Sequence, residues 1–138
     1  ELKGTGVFGD PGEADAVKSD RLALGYNNVN YVYDITSRDK FQNMEVLPID
    51  LNNNGKIDST EMIYESLDQL NKAIVEGVYP SPPARDLYFV SKGKPQKPEV
   101  VAFIEWILTS GQQYVAQAGY VALTEEKIEN QLAKLKNQ

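Results

Sequence analysis

The sequence predicts an α/β chain. Three observations carry that expectation: β-type apolar runs recur through the first 90 residues, helical stretches lie between them, and from Pro98 onward the apolar spacing is helical throughout. The chain has 138 residues, 41% of them apolar, which is enough for about one compact domain.

Gly4, Gly6, Gly9 and Gly12 make the opening stretch glycine-rich. A short helix is expected from Pro11 to Ser19, with Asp10 as its N-cap and Pro11 at the favoured first helical position. Leu22 to Tyr26 reads as a buried strand, Asn27-Asn28 as a turn, and Val29 to Tyr33 as a second β-type run. Asp34 to Asn43 is polar and reads as a loop; Met44 to Ile49 is a further short strand interrupted by Pro48.

A helix is then expected from Ser59 to Glu76, because Ile63, Leu67, Leu70 and Ile74 recur at helical spacing and Gly77 is a good stop. The prolines at 80, 82 and 83 remove donors and fix φ, so Val78 to Pro83 reads as a stiff extended connector. Leu87, Tyr88, Phe89 and Val90 make Asp86 to Ser91 a strand candidate. Pro98 opens a helix with Val100, Ile104, Ile107 and Leu108 on its apolar stripe, ended by Gly111. A short helix from Gln112 to Ala118 is closed by Gly119. Thr124 caps the last helix, which has Glu125 and Glu126 in its first turn and Lys134 and Lys136 in its last, as the helix dipole favours.

Composition excludes several function classes. The net charge of −6 argues against a nucleic-acid partner, which needs a basic footprint, and against an anionic membrane surface. Without cysteine there is no disulfide or thiolate chemistry; without histidine there is no Ser-His or Cys-His catalysis and no zinc site of the usual kinds. No apolar run approaches the roughly 20 residues of a membrane helix. No signal peptide is visible, and a first residue of Glu1 implies a processed end or a cut within a longer protein. The acids sit mostly in caps, in the loop described next or among polar neighbours, which argues against a paired-carboxylate hydrolase.

The sharpest local signal is Asp50 to Glu61, which matches the twelve-residue calcium loop of EF-hands. Asp50, Asn52 and Asn54 supply oxygens at positions one, three and five, and Gly55 stands at six, where the chain turns sharply. Lys56 offers its backbone carbonyl at seven, Asp58 acts through a water at nine, and Glu61 is the bidentate carboxylate at twelve. Calcium is a hard cation that takes six to eight oxygens, and this spacing wraps them round one point. A second reading stays open: Asn54-Gly55 is a common turn, and Asp58 with Glu61 resembles a helix-opening capping box. Pro48 argues against a regular entering helix, so the loop is expected between a strand and a helix. With three carboxylates its binding would be weak, and its role to pin the loop.

Gly4-Thr5-Gly6-Val7-Phe8-Gly9 satisfies G-x-G-x-x-G, but almost no chain precedes it for the strand a dinucleotide fold requires, and Asp10 would repel a pyrophosphate. A glycine-permitted turn is the better reading. Trp106 and Tyr120 lie among apolar helix positions and are expected in the core.

Four stretches resemble the C-terminal part of the phosphate-binding proteins that serve ABC importers. Gly6-Val7-Phe8-Gly9-Asp10-Pro11-Gly12 with Ala16-Val17 and Leu24-Gly25-Tyr26 looks like that family's glycine turn, helix and G-Y strand. Tyr79-Pro80 through Pro83-Ala84-Arg85-Asp86-Leu87-Tyr88 looks like its return segment. Phe103-Ile104-Glu105-Trp106-Ile107-Leu108 with Gly111-Gln112 is similar to its F-x-x-W-x-L…G-Q helix, and Ala118 to Leu123 to its G-Y-x-x-L closure. The resemblance implies a type 2 periplasmic-binding-protein fold, with residues 1–85 in the second lobe and 86–138 returning to the first. It implies phosphate or a related oxyanion as ligand, an ABC permease as partner, a periplasmic or cell-surface location, and no enzymatic activity. The family's R-x-x-x-S-G-T anion loop has no counterpart here, so no phosphate-contacting residue is carried over. The resemblance therefore also implies a missing N-terminal half, or a dimer mate, to cover the apolar faces left open. A calcium-stabilised structural or adhesion module of the envelope is the alternative.

Overall fold

The computed structural model of the chain describes residues 4–136. Its regular structure is helical: α1 (Gly9–Ser19), α2 (Leu67–Val75), α3 (Pro98–Leu108) and α4 (Glu125–Lys136), with short 3-10 turns at Val29–Tyr31, Ser59–Glu61, Ser110–Tyr114 and Ala116–Ala118. Among the described residues there is no sheet, only two isolated antiparallel bridges, Tyr33 with Lys40 and Asp39 with Ser66. This overturns the α/β expectation and, with it, the type 2 periplasmic-binding-protein fold that the resemblance implied.

The physical reason is that the expected strands find no extended pairing; only the Val29–Tyr33 run meets a neighbour, through the single Tyr33–Lys40 bridge. The Leu22–Tyr26 stretch lies along α1, where the Glu13 carboxylate accepts the Tyr26 N–H and Asp20 accepts the Leu22 N–H at 2.9 Å. A β-carbon on Gly25 would come within 2.8 Å of both Glu13 Oε1 and Val17 Cγ2, so glycine is what lets this stretch approach the helix. Val29 to Tyr31 winds into a 3-10 turn closed by Tyr31 N–H to Asn28 O at 2.9 Å. Met44 to Ile49 and Asp86 to Ser91 stay irregular. The proline segment is a turn and not an extended connector: Ala84 N–H reaches Pro80 O at 3.1 Å, and Ser81 Oγ donates to Ala84 O at 2.7 Å.

The helix expected from Ser59 to Glu76 is interrupted. A 3-10 turn at Ser59–Glu61 is followed by irregular backbone, and α2 begins only at Leu67, capped by Ser66, whose Oγ accepts from Gln69 N–H at 3.2 Å. The break has a tertiary cause: Tyr33 donates its hydroxyl to Tyr64 O at 2.8 Å, and that carbonyl is thereby committed across the chain. Two other expected ends shift: α1 opens at Gly9 with Phe8, not Asp10, at its N-cap, and α3 ends at Leu108, before Gly111. Gly77 and Gly119 adopt left-handed φ of 72° and 82° after α2 and after the Ala116–Ala118 turn, and Thr124 caps α4 through Lys127 N–H at 3.4 Å.

The chain divides into two units, one up to Glu76 and one from Gly77 onward. The first has a core: Tyr33 and Leu67 are fully enclosed, and Met44, Ile63, Tyr64, Leu70 and Ala73 are buried. Arg38 ties its loop to α2, pairing with Asp68 at 2.8 Å while its carbonyl accepts Leu67 N–H at 2.9 Å. Asp34 stabilises the preceding turn; the N–H groups of Ser37 and Thr36 hold its carboxyl below the ordinary value.

In the second unit α3 packs on α4, but among its described residues only Gly111 and Gly119 are buried. Trp106, expected in the core, is 46% exposed, stacked on Phe103 at 6.3 Å and tilted against Tyr114 at 6.1 Å. Tyr120 is half-buried. The Gln112 side chain holds the turn after α3, donating to Ile107 O at 2.8 Å and accepting from Leu123 N–H at 2.9 Å. Its two bonds join the end of the helix to the closing stretch before α4.

Candidate calcium loop

The Asp50–Glu61 loop belongs to the first unit, and its geometry is built from the bottom by side chains folding back on their own backbone. Asp50 accepts the N–H of Asn54 on Oδ1 at 3.1 Å and that of Gly55 on Oδ2 at 2.7 Å. Asn52 Oδ1 accepts Asn54 N–H at 3.0 Å, and Asn54 Oδ1 accepts Lys56 N–H at 2.8 Å. These are the Asx turns for which Asp and Asn are suited, each spanning two or a few residues. Asn53 at φ 59° and Gly55 at φ 79° occupy the left-handed region, which Asn and Gly tolerate best. The result curls oxygens at positions one, three and five toward one side.

Asp58 and Glu61 close the loop. They form a reciprocal capping box around the Ser59–Glu61 turn, with Asp58 N–H donating to Glu61 Oε2 at 2.8 Å. Asp58 Oδ2 receives the side-chain amides of both Asn52 and Asn54 at 2.8 Å each. Glu61 is 2% exposed, and its Oε1 accepts the N–H groups of Leu51 at 2.8 Å and Asn52 at 3.2 Å. One buried carboxylate thus gathers the start, the middle and the end of the loop. Lys56 lies at position seven with its side chain in solvent.

All six expected residues therefore fall in one closed loop. Among the described residues no three acidic side chains converge as a ready-made metal cage. The oxygen count for a cation would be completed by the asparagine amides and by the Lys56 carbonyl. The donor set is chemically that of calcium: all oxygen, and three carboxylates against one lysine. The lone pairs also leave room. Asp50 uses one pair on each oxygen, and Glu61 Oε2 keeps one, whereas Glu61 Oε1 is filled by its two donors.

Two features escaped the sequence reading. The first is the burial of Glu61 and its grip on Leu51 and Asn52; a spacing pattern gives the acid but not its depth. The second is support from behind the loop, where the Tyr64 hydroxyl accepts Ile49 N–H at 3.3 Å just before Asp50. The glycine-rich start, Gly4 to Gly9, leads into α1 with Asp10 in its first turn, an arrangement that disfavours a pyrophosphate.

No protein-family model matches this chain, and neither the curated proteins nor the solved structures compared with it give a match.

Proposed function

We propose that the chain is a calcium-stabilised structural module, in which the Asp50–Glu61 loop binds one Ca²⁺ and thereby fixes the first unit. The single observation that carries this reading is the buried Glu61 carboxylate at position twelve, tied to both arms of a loop whose other oxygens are already curled by Asx turns. Asp50, Asn52, Asn54, Asp58 and Glu61 would hold the ion with side chains and Lys56 with its carbonyl. The ion would supply positive charge to the carboxylates of Asp50, Asp58 and Glu61; the amide N–H groups of Asn52 and Asn54 now serve that purpose at Asp58. The loop makes and breaks no bond. Its expected affinity is low, with Kd of about 10⁻⁴ to 10⁻³ M, as for extracellular modules.

Calorimetric titration tests this directly. Calcium is expected to bind with one-to-one stoichiometry and to raise the melting temperature, while magnesium, which demands a smaller octahedral site, gives little of either. Asp50→Ala should abolish the binding heat. A flat titration at millimolar calcium rejects the site.

A second reading, an exported solute-binding component that carries phosphate or a related oxyanion to an ABC permease, draws support from the four matched sequence stretches. The fold uses several of their residues: Gly25 for close approach to α1, Gly111 beneath Trp106, Gly119 for its left-handed φ, and Gln112 for its two backbone bonds. In that reading the calcium loop is an added brace. Coding sequence upstream of Glu1 that carries an export signal and an S-G-T anion loop would support it, and tandem copies of the present chain would reject it.

A further inference from the structure

Among the described residues of the second unit only Gly111 and Gly119 are buried. Leu87, Tyr88, Phe89 and Val90 are four consecutive large apolar residues, 70 to 93% exposed. Among the described residues no backbone hydrogen bond ties them to another segment. The run from Ala84 to Lys94 contains no proline, although Pro83 and Pro95 bound it, so every residue in it keeps its backbone donor. Unbroken apolar runs with β-branched and aromatic residues are the mark of a strand covered on both faces. Exposed and unpaired, such a run is an open template for another strand.

The surface area says how much is left uncovered. The chain exposes 10689 Å². Two separate compact bodies, each of half this mass, would together expose about 8,700 Å². The excess is therefore about 2,000 Å² for the whole chain, and the first unit contributes to it through Phe8, Leu22, Leu24 and Tyr26 as the second does through Leu87 to Val90.

We infer that Asp86–Lys92 is a self-pairing strand, and that its occupant is the same segment of a second copy of this chain, running antiparallel. The charges favour this choice. The segment begins with Asp86 and ends with Lys92, so antiparallel pairing about Phe89 sets Asp86 of each copy opposite the partner's Lys92. Phe89 then faces its own counterpart, Tyr88 faces the partner's Val90, and Leu87 faces the partner's Ser91, which are cross-strand pairs of the stabilising aromatic and branched kind. A parallel pairing would instead stack acid on acid and base on base. A lone two-stranded ribbon is marginal in water. Val100, Phe103 and Trp106 expose further apolar surface in the same unit. Asp86 also pairs with Lys127 of α4 at 2.8 Å, which fixes the start of the strand to its own unit. The contact through this edge is twofold and self-complementary, so it pairs two copies. The inference is independent of the calcium reading.

Sedimentation velocity on the whole chain, run in chelator and in calcium, tests it. The expected mass is twice 15.4 kDa in both conditions. Lys92→Asp, at an exposed position, is expected to raise the dimer Kd at least about tenfold by placing like charges opposite each other twice. Reversing all three charges together, with Asp86→Lys, Lys92→Asp and Lys127→Asp, should restore association. The chain has no cysteine of its own. Leu87→Cys chains mixed with Ser91→Cys chains should therefore cross-link to each other on mild oxidation, and neither to itself. A single-chain mass at the highest concentration overturns the inference and points to a different polypeptide as the cover. A dimer indifferent to Lys92→Asp, or one not recovered by the triple reversal, overturns it as well.

Discussion

Leu67→Ala is expected to destabilise the first unit by about 3 to 4 kcal/mol, a large fraction of the stability of a small domain. Leu67 is one of two fully enclosed large side chains, the other being Tyr33. It opens α2, its own N–H is bonded to Arg38 O at 2.9 Å, and its neighbours Ser66 and Asp68 hold the cap and the ion pair with Arg38. Backbone anchored in this way cannot slide inward to fill the space left by the missing atoms, and costs are highest where a site cannot collapse. The core is also small: besides Leu67 and Tyr33, its described members are Ala14 and a few side chains from Met44 to Ala73. Urea denaturation followed by circular dichroism measures the change. A loss under about 1 kcal/mol would mean that Leu67 is not enclosed as described. A surface control in the same helix, Lys72→Ala, should change stability by no more than a few tenths of a kcal/mol, because its partner Glu76 lies at 3.8 Å and both are mostly exposed.

The contrast between what the sequence disclosed and what it hid follows from the range of the forces involved. Local chemistry was legible. Thr124 caps α4, Pro98 opens α3, and Gly77 and Gly119 turn left-handed, because each of these depends on a few neighbouring atoms. The calcium-like loop was legible for the same reason: Asx turns at Asp50, Asn52 and Asn54 are made by residues two to five positions apart. Long-range pairing was not legible. Leu22 to Tyr26 and Leu87 to Val90 have strand composition, yet a strand exists only with a partner, and a single chain's apolar pattern does not reveal whether one is present. The helix from Ser59 to Glu76 failed in another way. Ile63, Leu67 and Leu70 are all buried as their spacing required, but Ser66 restarts the helix, because the preceding carbonyl of Tyr64 is bonded to Tyr33, 31 residues earlier. Periodicity fixed the buried face and missed the break within it.

The depth of Glu61 was equally hidden, and it sets the second large effect. Glu61→Gln is nearly isosteric, so it leaves no cavity, and its cost is one of hydrogen-bond polarity. The carboxylate accepts three backbone N–H groups, two on Oε1 and one on Oε2. An amide offers one oxygen and one NH₂. Whichever way it is placed, the NH₂ meets a backbone donor, at Asp58 or at Leu51 and Asn52. A buried donor left unsatisfied costs about 1 to 3 kcal/mol, and bonds to a charged acceptor are worth more than neutral ones. The expected loss is about 2 to 3 kcal/mol in chelator, where no metal takes part. In calcium the gap between wild type and variant should widen, because the variant also loses its position-twelve carboxylate. At a calcium concentration about 100 times Kd, the ion alone would stabilise the wild type by about 2.7 kcal/mol, and the variant by far less. Paired denaturation curves in chelator and in calcium separate the two contributions. Asp50→Ala provides the comparison: its carboxylate lies at the more exposed end of the loop, so its cost in chelator should be smaller and its loss of calcium response as complete. If Glu61→Gln and the wild type respond equally to calcium, position twelve does not bind the ion, and the carboxylate serves only to hold Leu51, Asn52 and Asp58 in place.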